Sequence, residues 1–291
     1  MSPRSATHGP GQPPRARERV APAAVPPAPP FLRDPWAWLT LLAILPLVHR
    51  MSGAPWGEPV AEDFDFLHRA LVQGMGSLLD GGGSTAFWRP IPHQLYYAVF
   101  GRLIVTAPAL VTAIHLVLLA LAAALIYRTL RLSWSGPLAC MAAAFTVGAE
   151  STRTIASWPT QFVDLGLFVA SALAVHEAAR RRWPTALAAL LAALLCKEVA
   201  IVTGMLLPFV PGAARDTRAR LRAALGTLGV LGAWGAATLA IRQHAHLVLP
   251  TRIAGSPEAL SATLAWVAGR RADGIADARV ASPAPTPESR R

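Results

Sequence analysis

The sequence predicts an all-α polytopic membrane protein, with about seven transmembrane or re-entrant helices and interfacial helices in a large first external loop. Three observations carry this. First, 53% of the 291 residues are hydrophobic and 15% are charged, against about 45–50% and about 25% in soluble domains. The mean hydropathy is +0.40. Second, the arginines fall in clusters between apolar runs, as membrane topology signals do. Third, the only lysine, Lys197, sits beside Glu198 inside an apolar stretch. A charge at membrane depth costs roughly 2.5–3.5 kcal/mol on insertion scales, so such a pair faces a bundle interior or a wet cavity. The net charge of +11 is accounted for by the topology clusters, so no nucleic-acid partner is expected. Cys140 and Cys196 both lie in apolar segments, with no disulfide framework or zinc spacing.

Residues 1–30 are rich in Pro, Ala and Arg and read as a disordered cytoplasmic arm. The membrane domain follows over residues 31–245. A span needs about 20 mostly apolar residues, and re-entrant segments need fewer. The candidates are Pro35–Val48, Leu110–Tyr127, Pro137–Ala149, Gln161–Val175, Pro184–Leu195, Val199–Val210 and Ala223–Ile241. The first is read as an uncleaved helix, because no small-x-small site follows it. Arg15/Arg17/Arg19/Arg33, Arg128/Arg131, Arg180/Arg181/Arg182 and Arg215/Arg218/Arg220/Arg222 all belong on the cytoplasmic side by the positive-inside rule. Two crossings then separate Arg182 from Arg215, so Pro184–Val210 is a hairpin with Lys197-Glu198 at its outward tip. The first external loop covers residues 51–108. Within it, Phe64–Leu79 and His93–Leu103 have the spacing of interfacial helices, separated by the Gly81–Ser84 break. Residues 246–291 form a polar tail expected to be disordered. The chain is placed in a bacterial inner membrane with its N-terminus in the cytoplasm.

Several polar clusters then fall on one face of the membrane. Glu62-Asp63-Phe64-Asp65 follows the first helix; a carboxylate beside an apolar surface suits proton acceptance from a hydroxyl, although a solvated acidic loop is the plainer reading. In Phe87-Trp88-Arg89-Pro90-Ile91-Pro92-His93, Arg89 is held between an aromatic ring and a proline. A guanidinium held there suits a phosphate fork or anchors the interface by snorkelling. Glu150, Arg153, Trp158, Gln161 and Asp164 form another cluster, in which Trp158 is a sugar-stacking ring or an interface anchor. Lys197 and Glu198 are sequence neighbours and do not face each other on a helix, so each needs another partner. Lys197 is expected to meet a lipid phosphate, and Glu198 to orient Arg89 or Arg153. His115, alone on an apolar helix, is expected to bond a neighbouring helix.

The order of these clusters resembles the GT-C superfamily of integral-membrane glycosyltransferases. The likeness is to protein O-mannosyltransferase-like and lipid A aminoarabinose transferase-like members, and it covers about Pro35 to Val210. The motifs are an acidic pair after the first helix, an aromatic-Arg-Pro motif, a Glu…Trp…Gln…Asp loop and a Lys-Glu pair. The resemblance implies a polyprenyl-phosphate sugar donor and an acceptor outside the cytoplasm, with membrane lipid as a further partner. By resemblance, Glu62 or Asp63 supplies the base, although the family's usual order is Asp-Glu or Asp-Asp. Arg89, His93, Lys197 and Glu198 then hold the donor phosphate and shape the cavity, while Asp65, Glu150, Trp158, Gln161 and Asp164 line the sugar or acceptor side. Some members use a divalent metal and others do not, so cofactor use stays open and no metal ligand is assigned. Family members run to more helices and often carry a soluble C-terminal domain. The expectation is therefore a truncated copy, one half of a split enzyme whose partner chain supplies the rest, or an inactive remnant. The alternative is a non-catalytic membrane scaffold or lipid-carrier-binding protein. A small transporter is a third reading, but no repeat symmetry supports it.

Overall fold

A computed structural model describes residues 30–51, 56–74, 76–79 and 87–244. The expected arm up to residue 29, the Gly81–Ser84 break and the tail from 246 lie outside the described residues. Among the described residues every regular element is helical.

The chain enters through α1 (Pro35–Leu42), whose N-terminus is capped by Asp34 accepting from the Trp36 amide at 3.2 Å. The side-chain cap satisfies one orphan donor of the helix start, and proline at the first helical position removes another because it has no N–H. α2 (Ile44–Arg50) follows after one residue, Ala43. The break at Ala43 has a local cause: Pro46 has no N–H to offer the carbonyl of Leu42. α3 (Asp63–His68) runs into a π-turn over Arg69–Gln73 and stops at Gly74, whose φ is +83°. The first interfacial helix is thus shorter than its apolar spacing suggests. A second π-turn, Ile91–Leu95, leads into α4 (Tyr96–Thr106). Tyr96 and Tyr97 are buried in the bundle rather than lying at an interface.

α5 (Pro108–Leu130), α8 (Phe162–Ala179, preceded by a 3-10 turn from Pro159) and α11 (Thr217–His244) complete the set of helices long and apolar enough to cross a membrane among the described residues. Shorter apolar helices are Pro35–His49, α6 (Gly136–Gly148), α9 (Trp183–Cys196) and Ala200–Phe209, the last comprising α10 (Ala200–Leu206) and a 3-10 turn. The segment expected to be a loop at 150–160 is largely α7 (Glu150–Ser157).

α5, α8 and α9 pack side by side. Small residues permit their close approach: Ala174, Ala178, Ala186, Ala189 and Ala193 are all buried along the α8–α9 seam. At Gly166 on α8, an added Cβ would stand 2.7 Å from the Cys196 sulfur. α9 and α10 form the hairpin expected from charge placement. Cys196 ends α9, Lys197 is extended (φ −159°, ψ 136°), and α10 begins three residues later.

The bundle has two chemically distinct ends. Asp34, Arg128, Arg131, His176 and Arg180 line one cavity, and Arg181, Arg215 and Arg222 another across the α8–α9 turn. The arginine clusters therefore share one end. The Lys197-Glu198 turn, Arg89, Asp63 and Trp158 lie at the other, tied together by the contacts described next. Gathering of the arginine clusters, though not of Arg89 and Lys197, at one end of apolar helices is the pattern expected of a membrane protein.

Candidate functional site

Asp63 is fully buried, yet it is a carboxylate, so its charge must be satisfied by donors. Four groups do this. The Val60 amide and the Trp158 indole N–H each donate to Oδ2 at 2.7 Å. The Tyr97 hydroxyl and the Thr160 hydroxyl both donate to Oδ1. These donors come from the loop before α3, from α4 and from the turn before α8, so one carboxylate joins three elements. Burial, reinforced by the charge of Asp63, holds the Tyr97 phenol well above its ordinary value and keeps it a proton donor.

Glu62, one residue earlier, is exposed, and so is Asp65. Neither carboxylate accepts a hydrogen bond or forms an ion pair with a described residue; only their backbone groups are bonded, as where the Asp65 amide donates to the Glu62 carbonyl at 3.1 Å. Of the acidic pair, Asp63 is an anchor and Glu62 is accessible.

Two ion pairs meet at the α9–α10 turn. Arg89 donates to Glu198 through Nε at 3.1 Å and through Nη2 at 2.7 Å, a bidentate fork. The Phe87 ring centroid lies 4.1 Å from the guanidinium carbon, a cation–π contact. Lys197 donates to Asp164 on α8 at 2.6 Å. Sequence neighbours 197 and 198 therefore point to different partners, and they do so from the extended turn between α9 and α10 rather than from a helix. Burial alone would raise the Glu198 carboxyl, but the hydrogen bonds and charge of Arg89 outweigh it and hold it below the usual glutamate range.

The carboxylate anchor and the ion pairs are connected. His93 stacks on Phe66 at 4.6 Å, and Phe66 on Tyr97 at 5.1 Å; the His93 amide bonds back to the Arg89 carbonyl at 3.1 Å. On the other side, Thr160 and Asp164 are one helical turn apart. Tyr96 stacks on Phe162 at 4.3 Å and bonds His115 at 2.9 Å. His115 also contacts the Ala156 carbonyl at 3.2 Å, so it ties helices together as its position predicts. Gly57 closes the assembly: its amide donates to the Ser157 carbonyl at 2.9 Å, and its φ of +83° admits only glycine comfortably.

An open apolar groove of about 430 Å3 adjoins Asp164. Thr152, Phe168, Ser171, Val202 and Thr203 are among its walls.

Of the residues singled out by sequence, Asp63, Arg89, Trp158, Asp164, Lys197 and Glu198 are joined by direct contacts. Trp158 serves Asp63 through its indole N–H. Lys197 meets a carboxylate, and Glu198 takes Arg89. Gln161 is half-buried at the start of α8. The side chain of Glu150 lies outside the described residues. Among the described residues no three His, Cys, Asp or Glu side chains converge to hold a metal ion. Tyr97 and Thr160 were not foreseen as part of this site. The one available signal was that Thr160 lies two residues after Trp158.

No protein-family model, curated protein or solved structure gives a significant match to this chain.

Proposed function

We propose that the chain is a GT-C-like membrane glycosyltransferase or its N-terminal module, with about seven apolar segments crossing or re-entering the membrane. It would transfer a sugar from a polyprenyl-phosphate donor to an extracytoplasmic acceptor. The observation that carries this reading is the union of distant polar residues at one end of an apolar bundle. Arg89 and Glu198 are 109 positions apart, and Lys197 and Asp164 are 33 apart. A bundle needing only anchorage has no use for so many buried and half-buried charges.

In the proposed reaction an acceptor hydroxyl attacks the anomeric carbon of the donor. Glu62 takes the hydroxyl proton as the new C–O bond forms. The bond from the anomeric carbon to the phosphate oxygen breaks, and the electron pair leaves on the polyprenyl phosphate. Asp63 is the positioning residue that holds the Glu62 turn against α4 and α8. Arg89 and Lys197 retain further N–H groups beyond those given to Glu198 and Asp164, and these would stabilise charge developing on the leaving phosphate. The groove beside Asp164 suits an isoprenoid chain.

A second reading, a non-catalytic scaffold or lipid-carrier binder, draws on a specific observation. Both cations already have a carboxylate partner, so a phosphate must compete for them. Titration of a labelled polyprenyl-phosphate sugar into the full chain tests both. Arg89→Ala and Lys197→Ala should each weaken saturable binding by about 10- to 100-fold, the worth of a charged hydrogen bond. Binding with transfer that Glu62→Gln abolishes supports the enzyme. Binding without transfer to any acceptor supports the second reading, and no binding by the folded parent refutes both.

A further inference from the structure

The arginine end holds a cavity that the proposed transferase site does not use. It measures about 330 Å3 and lies between the chain entry, the end of α5 and the end of α8. That volume falls at the small end of the roughly 300–1,000 Å3 range of ligand pockets. Its base is a bonded cluster of buried and part-buried side chains. Asp34 is 3% exposed. Its Oδ2 accepts from the Tyr127 hydroxyl at 2.5 Å and from Arg131 Nε at 3.4 Å, while Oδ1 caps α1. Arg131 is fixed again by donating from Nη1 to the Trp134 carbonyl at 2.8 Å. His176 is buried in the wall and bonded to Thr129 at 3.0 Å.

Among the described residues, the side chains of this cavity carry more positive than negative charge. Asp34 is matched by Arg131. Arg128 and Arg180 also line the cavity, and neither has a carboxylate partner among the described residues. The other two described carboxylates at this end are engaged elsewhere. Glu177 faces Arg182 at 3.7 Å, and Asp216 accepts from the Ala219 amide at 2.7 Å. Two guanidiniums without a carboxylate partner among the described residues thus line a pocket whose floor is preset by Asp34, Tyr127 and Arg131. Phe31 forms an aromatic wall, its ring 6.0 Å from the Arg128 guanidinium carbon. Planar guanidinium forks match phosphate oxygens, and basic pockets between helices near one membrane surface are suited to anionic headgroups.

We propose that this cavity binds a phosphate-bearing anion, held by Arg128 and Arg180 over the Asp34–Tyr127–Arg131 floor, independently of any transferase activity. A phospholipid headgroup and free phosphate share this chemistry. Calorimetric titration of the full chain in neutral detergent separates them, using short-chain phosphatidylglycerol, short-chain phosphatidylcholine and inorganic phosphate as probes.

The expected result is saturable binding of phosphatidylglycerol and none of phosphatidylcholine. Removing each arginine should weaken binding about fivefold, so the Arg128→Gln/Arg180→Gln double variant should lose about 25-fold. Both side chains are exposed, so the variant should keep the parent's melting temperature. Arg215→Gln/Arg222→Gln, at the same end but around the other cavity, should bind as the parent does. Competition by inorganic phosphate at similar concentration identifies the small anion as ligand. Failure of phosphate to compete identifies the lipid. Equal loss in both double variants, equal binding of phosphatidylcholine, or no binding of any probe overturns the proposal.

Discussion

Replacing Asp63 by alanine should be among the most damaging single changes in the described part of the chain, and the structure says by how much. The carboxylate accepts four hydrogen bonds. Each bond to a charged group is worth about 1.5–3 kcal/mol, but the four losses do not add. The Tyr97 and Thr160 hydroxyls lie 3.1 Å apart and can bond each other once the carboxylate is gone. The Val60 amide and the Trp158 indole are only part-buried, so water reaches them. The net cost of Asp63→Ala should therefore be about 3–5 kcal/mol, roughly two bonds' worth of lost donor satisfaction rather than four. At about 2–4 °C per kcal/mol for a domain of this size, the melting temperature should fall by about 10 °C.

Asp63→Asn sharpens the test. N–H groups cannot become acceptors, whereas hydroxyls can rotate to accept. The asparagine oxygen should therefore take the Val60 and Trp158 side, and its amide should donate to Tyr97 and Thr160. Only about 1–2 kcal/mol should be lost, near 5 °C. Near-UV circular dichroism melts of the purified full chain in one detergent read both values. A parent-like melt for the alanine variant, or an asparagine variant as unstable as the alanine one, would refute the four-donor account.

Other outcomes follow from the same geometry. Glu198 has a lowered folded-state pKa, so its contribution to stability is fully present above the unfolded glutamate value of about 4.3. That contribution is lost as pH falls through the lower folded value. Acid melts of the parent should show this loss and those of Glu198→Gln should not. Gly57→Ala should cost about 2 kcal/mol or more, because the positive φ is strained and the new methyl strikes the Pro108 carbonyl. Hydrogen exchange should then rise first at the 56–63 segment, and uniform protection would count against the assignment. Gly166→Val should push α8 from α9 at Cys196 and lower stability by about 1–3 kcal/mol, as overpacking does. An unchanged melt would mean that the seam is looser than described.

The helical class and the grouping of arginines were readable from the sequence because both depend on side-chain type and spacing. Apolar runs bounded by proline and arginine predict helices whoever their neighbours are. The α9–α10 hairpin was legible for the same reason, since Arg182 and Arg215 had to return to one end. What could not be read was pairing at long range. Nothing local says that Glu198 takes Arg89 rather than Arg153, or that Lys197 meets Asp164 rather than an outside anion. Nor does local sequence distinguish Glu62 from Asp63. Only the meeting of Val60, Tyr97, Trp158 and Thr160 around one carboxylate makes Asp63 a buried anchor and leaves Glu62 exposed. Hydrophobic patterning acts within a segment and survives in the linear sequence. Satisfaction of a buried charge depends on which donors the packed helices bring within 3 Å, and that is decided only when the bundle closes.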